Sequence, residues 1–186
     1  MKPIKKKTST PSRGVDVQPG SPPLRGQATL AAGLSILMLA LLSAGIVDVA
    51  RLWETRLWAY RVAEAAALTG ASAGRDYATF VATGSLTLDA SAAQAAAQDA
   101  LLLGLQARGL DGAATYDIRV HPVTGPASFP GYPPVARASQ RGLPWSPVEP
   151  AVGVYLVVPV RPVLYGWING NAEIDLHVFA AAGVAQ

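Results

Sequence analysis

The chain has 186 residues, enough for one modest domain beside a membrane segment, and its hydrophobic fraction of 51% is high for a soluble domain. Its net charge of +3 is unevenly distributed: the first 27 residues hold six Lys or Arg and one acidic residue, whereas the remainder holds nine Arg and eleven acidic residues. A nucleic-acid-binding face needs its basic residues on the folded part of the chain, so this distribution argues against a nucleic-acid partner. The absence of cysteine excludes a disulfide framework and a thiol nucleophile.

The N-terminal region divides into a polar tail and an apolar stretch. Residues 1–25 are rich in Lys, Ser, Thr and Pro, a composition that predicts a disordered basic tail or leader. Ala28–Val47 then provides twenty residues without a charge, which as a helix cover about 30 Å, the thickness of the hydrocarbon core. We therefore divide the chain into a tail (1–25), a transmembrane and extended amphipathic helix (26–71) and a folded domain (72–186).

The charges that flank the apolar stretch predict its orientation. Basic residues dominate before it, which favours a cytoplasmic N-terminus and an extracytoplasmic or surface-exposed C-terminal domain. The alternative is a cleaved signal peptide, but twenty residues exceed the usual apolar core of about 7–15. The best small-residue cleavage motif, Ser43–Gly45, also lies deep inside the stretch. The predicted localisation is a single-pass protein of the cytoplasmic membrane.

The helical pattern continues beyond the apolar stretch, through Arg51–Ala71. Asp48, Arg51 and Trp53 stand where the helix would leave the membrane, and an aromatic ring is typical of that interface. Residues three apart are expected to form surface ion pairs: Asp48 with Arg51, Arg51 with Glu54, and Arg61 with Glu64.

Small residues recur along this second part of the helix at intervals of three or four: Ala59, Ala63, Ala66 and Gly70. This spacing predicts a narrow groove in which another element approaches the backbone closely. We expect the groove to pack against the protein's own sheet on one side and against partner helices on the other. Gly70 and Gly74 mark the expected end of the helix.

The segment from Arg25-Gly26-Gln27 through "GIVDVARLWETRLWAYRVAEAAALTGA" resembles the N-terminal signature of the TadE/TadG-like family, pilin-like minor components of tight-adherence (Tad) pili. The resemblance covers about a quarter of the chain. It implies processing by a prepilin peptidase between Gly26 and Gln27, assembly with other pilin-like subunits and Tad inner-membrane proteins, and no cofactor. Ala31 stands where pilin-type sequences often carry a glutamate.

The remaining residues predict a second helix followed by strands. Asp89 or Ser91 can cap a helix that extends to about Ala107. Its expected core stripe consists of Ala92, Ala95, Ala96, Ala100, Leu103 and Ala107. The resemblance likewise implies a second Ala-rich helix before the strands.

Three segments have the pattern of strands. "ATYDIRVHPV" alternates, "VGVYLVVPV" is apolar enough for a central strand, and "AEIDLHVFAAAGV" returns after a turn at "GWINGN". The proline-rich segment Thr124–Pro150 is either an exposed loop or a strap over the sheet. The predicted fold class is α+β and pilin-like, with a long N-terminal helix, a second helix and a small antiparallel sheet.

Residues that could support catalysis are few. His121 and His177 are expected on polar strand faces, and Asp175 shares the face of His177, but two such residues without a third are weak signs of a metal or catalytic site. Three arginines could form an anion patch: Arg137, Arg141 and Arg161. They are dispersed along the sequence, so we expect them to be ordinary surface charges. We predict neither a catalytic nor a metal site.

Three classes of function follow from these patterns. The first is a non-catalytic pilin-like component in a Tad-type pilus or secretion apparatus. The second is a surface adhesion or binding module, in which the aromatic residues Phe129, Tyr132 and Trp145 contact a partner. The third is a membrane-tethered enzyme, which the absence of a flexible linker between Val47 and Ala71 disfavours. The lipid bilayer is an expected partner in all three.

Overall fold

The structure, a computed structural model, describes residues 25–139, 144–170 and 172–184, without the side chains of residues 25, 26 and 136. The predictions for the basic tail and for Arg141 lie outside these residues. The helices are α1 (Arg25–Ala73), α2 (Tyr77–Thr83), α3 (Ala90–Gln106) and α4 (Val163–Ile168), and the strands are β1 (Thr115–His121), β2 (Ala151–Val160) and β3 (Ile174–Gly183). A short 3-10 helix covers Ala136–Ala138. These elements confirm an α+β fold with a long N-terminal helix and a small antiparallel sheet.

The first helix, α1, continues for 49 residues without a break. It ends at Ala73, close to the predicted Gly70–Gly74, and the amide of Gly74 donates to the carbonyl oxygen of Gly70 at 2.9 Å. The described residues up to Leu39 form one compact unit, and those from Ala40 onward form a second. The second part of α1 therefore belongs to the same compact unit as the C-terminal domain.

Two further helices follow α1. The sequence did not predict α2, whose first turn is capped by the Asp76 carboxylate and whose last turn ends at Gly84 with a positive φ of 70°. In α3 the predicted cap Asp89 accepts hydrogen bonds from the amides of Ser91 and Ala92. The predicted core stripe of α3 is wrong, because the buried residues are Ala93, Ala97, Leu101 and Leu105. With alanine on every side of this helix, the sequence contains too little contrast to define the buried face.

The sheet is an antiparallel meander in the order β1-β2-β3. As predicted, the apolar strand β2 is central, and Pro159 pairs with Asp175 one residue before β2 ends. Alternation along each strand directs one set of side chains toward α1 and α3. Small residues of both helices and branched residues of β2 share this core: Ala59, Ala63, Ala66, Ala93, Ala97, Val152, Val154, Leu156 and Val158.

The opposite face of the sheet is covered by the proline-rich segment, which is therefore a strap rather than an exposed loop. Tyr132 is fully buried, and its hydroxyl donates toward the carbonyl oxygens of Asp117, at 2.8 Å, and Gly153, at 3.0 Å. Burial raises the pKa of this hydroxyl above its ordinary value. Aromatic rings fill the space between strap and sheet: Phe129, Tyr132, Trp145, Tyr155 and Phe179.

Candidate functional site

The first part of α1 exposes large apolar side chains on all sides. Leu30, Ile36 and Met38 are 76%, 69% and 55% exposed, and their spacing points them in three different directions around the helix axis. Among the described residues, α1 is the one helix long and apolar enough to cross a membrane. In water such a surface would be costly, since burial of apolar area is the main driving force of folding.

The uncharged stretch ends at Asp48, whose side chain is only 6% exposed. Its carboxylate accepts hydrogen bonds from the first three amides of α4: Oδ1 from Val163 at 2.6 Å, and Oδ2 from Leu164 at 2.7 Å and Tyr165 at 3.2 Å. The first amides of a helix have no partner within the helix, and its N-terminus carries a partial positive charge. Asp48 therefore serves as a long-range cap that ties α4 to α1.

The side chain of Leu164 in α4 lies close to α1 beside this cap. A Cβ atom placed on Gly45 would lie 3.6 Å from Cδ2 of Leu164. Pro162 and Gly166 are buried, whereas the residues between and after them are more exposed. Burial is therefore uneven around this short segment.

The sequence placed Asp48, Arg51 and Trp53 together at the membrane exit, and the structure gives them different surroundings. Asp48 binds α4, whereas Arg51 and Trp53 are exposed. The expected ion pairs along α1 are absent from the described residues, where Glu54 pairs instead with Arg108 at 3.4 Å. The sequence missed α4 and its cap because the partners are 115 residues apart. The available signals were an acid at the end of an apolar stretch, Asp48, and a proline before a short apolar run, Pro162.

The predicted groove residues lie in the core of the domain. Ala59, Ala63 and Ala66 are fully buried. A Cβ atom on Gly70 would lie 2.7 Å from the carbonyl oxygen of Ala93, which leaves no space for it beside α3. All four residues thus contact the protein's own domain, and this stripe has no free side for a partner helix.

The two histidines have protein partners. His121 was expected to be solvated, but it is buried under the strap, with Nε2 2.9 Å from the carbonyl oxygen of Gly125. Nδ1 of His177 lies 2.7 Å from the Tyr155 hydroxyl, while Asp175 is exposed. Within the described residues, no group of three His, Cys, Asp or Glu side chains is arranged to hold a metal ion.

Two arginines of the candidate anion patch, Arg137 and Arg161, lie within the described residues and have different surroundings. Arg137 lines a shallow cleft of about 240 Å³ together with Arg56 and His177, whereas Arg161 pairs with Glu173 at 2.5 Å.

The aromatic residues considered for adhesion pack within the protein. Tyr132 and Trp145 are buried against the sheet, and Phe129 stacks on Trp145 with ring centroids 4.5 Å apart. Tyr132 and Trp145 thus hold the strap to the sheet, whereas Phe129 is half-buried.

The functional candidate that stands out is the junction of α1 and α4 at the end of the apolar stretch, beside a spine of buried alanines. Comparisons with protein-family models, with curated proteins and with solved structures give no significant match.

Proposed function

We propose that this protein is a membrane-anchored, pilin-like minor component that takes part in assembly of a Tad-type pilus or secretion apparatus and is not an enzyme. The observation that supports this proposal most is the continuity of α1, which joins an exposed apolar stretch to the spine of a folded domain. The second support is the resemblance of Arg25–Ala73 to the TadE/TadG-like signature.

The way α1 enters the domain favours this function over a tethered enzyme. A tether needs only a flexible connection, whereas here the alanines that follow the apolar stretch are part of the core. A helix whose later residues belong to the domain core suits a subunit of an assembly better than it suits a simple tether.

In this proposal the first part of α1 is the surface for partner subunits. Gly33 has no atom within 4 Å of a Cβ position, so small residues here are free for close helix contact within the bilayer. Between helices in lipid, packing of small residues drives association, because lipid tails are as apolar as the side chains. Tad inner-membrane proteins and other pilin-like subunits are the proposed partners. Prepilin peptidase would act between Gly26 and Gln27, in the first turn of α1.

Orientation is tested with protease added to intact spheroplasts. The charge distribution predicts that the domain beyond Ser72 is digested while the Lys-rich tail is spared. Protection of the domain would contradict this orientation. Mass spectrometry of the remaining N-terminal peptide shows in the same experiment whether the chain begins at Met1 or at Gln27.

Participation in assembly is tested in cells that lack the gene, by counting surface filaments after complementation. The full chain should restore filaments, whereas residues 51–186 exported behind a cleavable signal peptide should not. A Gly33→Leu variant, which removes a small position without disturbing the domain, should insert normally and reduce filament number. Full restoration by the exported domain would contradict the proposal.

A further inference from the structure

The short helix α4 has one covered face and one exposed apolar face. Pro162, which precedes α4, and Gly166 are buried, and the amides of Val163, Leu164 and Tyr165 bind Asp48 of α1. The exposed face is formed by four large apolar residues, which are between 48% and 78% exposed: Val163, Tyr165, Trp167 and Ile168. A concentration of exposed rings and branched side chains on six residues is unusual for a surface turn and indicates an interaction site.

The exposed face is held in place by the carboxylate cap. A helix of six residues is too short to be stable alone, because nucleation is unfavourable and few hydrogen bonds follow it. Here Asp48 binds its first three amides, and the flanking strands β2 and β3 are paired up to Val160 and Ile174. The apolar side chains are therefore presented in a fixed position rather than on a mobile loop.

That position is the end of the apolar stretch of α1. Leu164 lies beside Gly45, which is inside the uncharged stretch, since a Cβ atom on Gly45 would be 3.6 Å from its Cδ2. The cap residue Asp48 follows the last residue of this stretch, Val47. If Ala28–Val47 occupies the hydrocarbon core, α4 lies where hydrocarbon meets the headgroups. Tryptophan and tyrosine favour this layer because their rings are apolar and their N–H or O–H groups reach water.

We propose that the exposed face of α4 docks on the lipid bilayer at the level of the headgroups, as a second membrane contact beside α1. This inference rests on the proposed membrane anchoring. The docked helix fixes the rotation and tilt of the domain, since a single span leaves both free. The hydrogen bonds to Asp48 also lower the cost of a carboxylate at the hydrocarbon boundary, because its oxygens bind amides in place of water.

A second exposed apolar helix provides a matched comparison. α2 also exposes large apolar residues, including Val81 at 85%, and its seven residues make it nearly the same length as α4. It follows the opposite end of α1, about 25 residues or roughly 40 Å of helix beyond Asp48. Apolar exposure is thus shared by α2 and α4, while proximity to the apolar stretch distinguishes α4.

The experiment uses the full chain in vesicles of phosphatidylethanolamine and phosphatidylglycerol. Because the chain has no cysteine, a single cysteine carrying an environment-sensitive fluorophore can be placed at will. Three variants are compared: Ile168→Cys in α4, Val81→Cys in α2 and Leu37→Cys in the apolar stretch. Quenching is measured with nitroxide lipids, whose nitroxide lies either near the headgroup or deep in the chains, and with aqueous iodide.

We expect the label at position 37 to be quenched by the deep nitroxide, the label at 168 by the shallow nitroxide, and the label at 81 by iodide alone. If 37 is quenched by lipid but 168 behaves like 81, the membrane contact of α4 is refuted while anchoring stands. If 37 is not quenched by lipid, the anchoring itself fails. An added Asp48→Ala substitution should weaken lipid quenching at 168 without changing it at 37, and unchanged quenching at 168 would contradict the role of the cap.

Discussion

The two parts of α1 share one helical backbone and have opposite surfaces. Up to about Val47, large side chains such as Leu30 and Ile46 are exposed in every direction. Beyond Trp58, alanines at one side are fully buried, while the other side carries exposed charges such as Glu64. The same helix therefore has an exposed apolar surface in its first part and packs against the domain core in its second part.

This difference shows that side-chain size, more than hydrophobicity, determines what the helix can contact. Large side chains in the first part hold neighbours at a distance and expose a large apolar area. Small side chains in the second part let α3 approach until the carbonyl oxygen of Ala93 is 2.7 Å from where a Cβ of Gly70 would be. The interior there has no space for an added group, so it is sensitive to small changes of volume.

Enlarging a buried alanine should have the largest effect. Ala66→Trp adds a large ring at a fully buried position and should reduce the free energy of unfolding by at least about 1–3 kcal/mol. Ala65→Trp is the matched control, because Ala65 lies next to Ala66 but is exposed and should tolerate the ring. Urea unfolding of the full chain in micelles measures both. Equal stability of the two variants would show that the groove is not close-packed. Membrane insertion should be unchanged in both variants.

Adding one methyl group should separate the two parts of the helix. Gly70→Ala places a Cβ against backbone of α3 and should cost about 1 kcal/mol or more, despite the gain in helix propensity. Gly33→Ala, which meets nothing within 4 Å, should be neutral or stabilising. The same urea experiment compares them. A stabilising Gly70→Ala substitution would mean that α1 and α3 are farther apart than the structure has them.

Removing the long-range cap should open the junction locally rather than unfold the domain. Asp48→Ala leaves the first amides of α4 without their acceptor, so hydrogen exchange at Val163–Tyr165 should become faster. Glu54→Ala, which loses one exposed ion pair, should leave this exchange unchanged. Exchange followed by mass spectrometry detects the difference, and unchanged protection in the Asp48 variant would argue against the cap.

The helix cap of α3 should give the smallest effect, visible as a dependence on pH. Hydrogen bonds from the Ser91 side chain and from the Ala92 and Ser91 amides hold the pKa of Asp89 below its ordinary 3.8. A lowered pKa in the folded state stabilises the protein above the unfolded value and loses this contribution as the pH falls through the folded value. Asp89→Asn keeps an acceptor but does not titrate. The stability difference between wild type and variant should therefore shrink below about pH 4, and a constant difference would contradict the shifted pKa.

Elements defined by local patterns could be predicted from the sequence. The uncharged stretch gave the start of α1, Asp89 gave the cap of α3, and the apolar run around Val154 gave the central strand. Each of these depends on residues within a few positions of one another. Periodicity and capping act over that range, so a single sequence contains them.

What the sequence did not provide depends on contacts between distant segments. The Asp48 cap needs α4 from the far end of the chain, and the burial of His121 needs the strap that follows it. The face of α3 is set by Leu101 and Leu105 against α1 and the sheet, not by contrast within the helix. In each case the deciding interaction is tertiary, and local residue preferences leave several arrangements equally acceptable.

The central claim is that one continuous helix has lipid around its first part and the domain against one side of its second part. Single cysteines introduced along α1 of the membrane-inserted chain, labelled with a membrane-impermeant maleimide, test it directly. The claim predicts protection at every position from 30 to 46, and a helical period in the second part, with Glu64 and Leu68 labelled but Ala63 and Ala66 protected. Labelling of any one face between positions 30 and 46 would contradict it, because that face would then be in water.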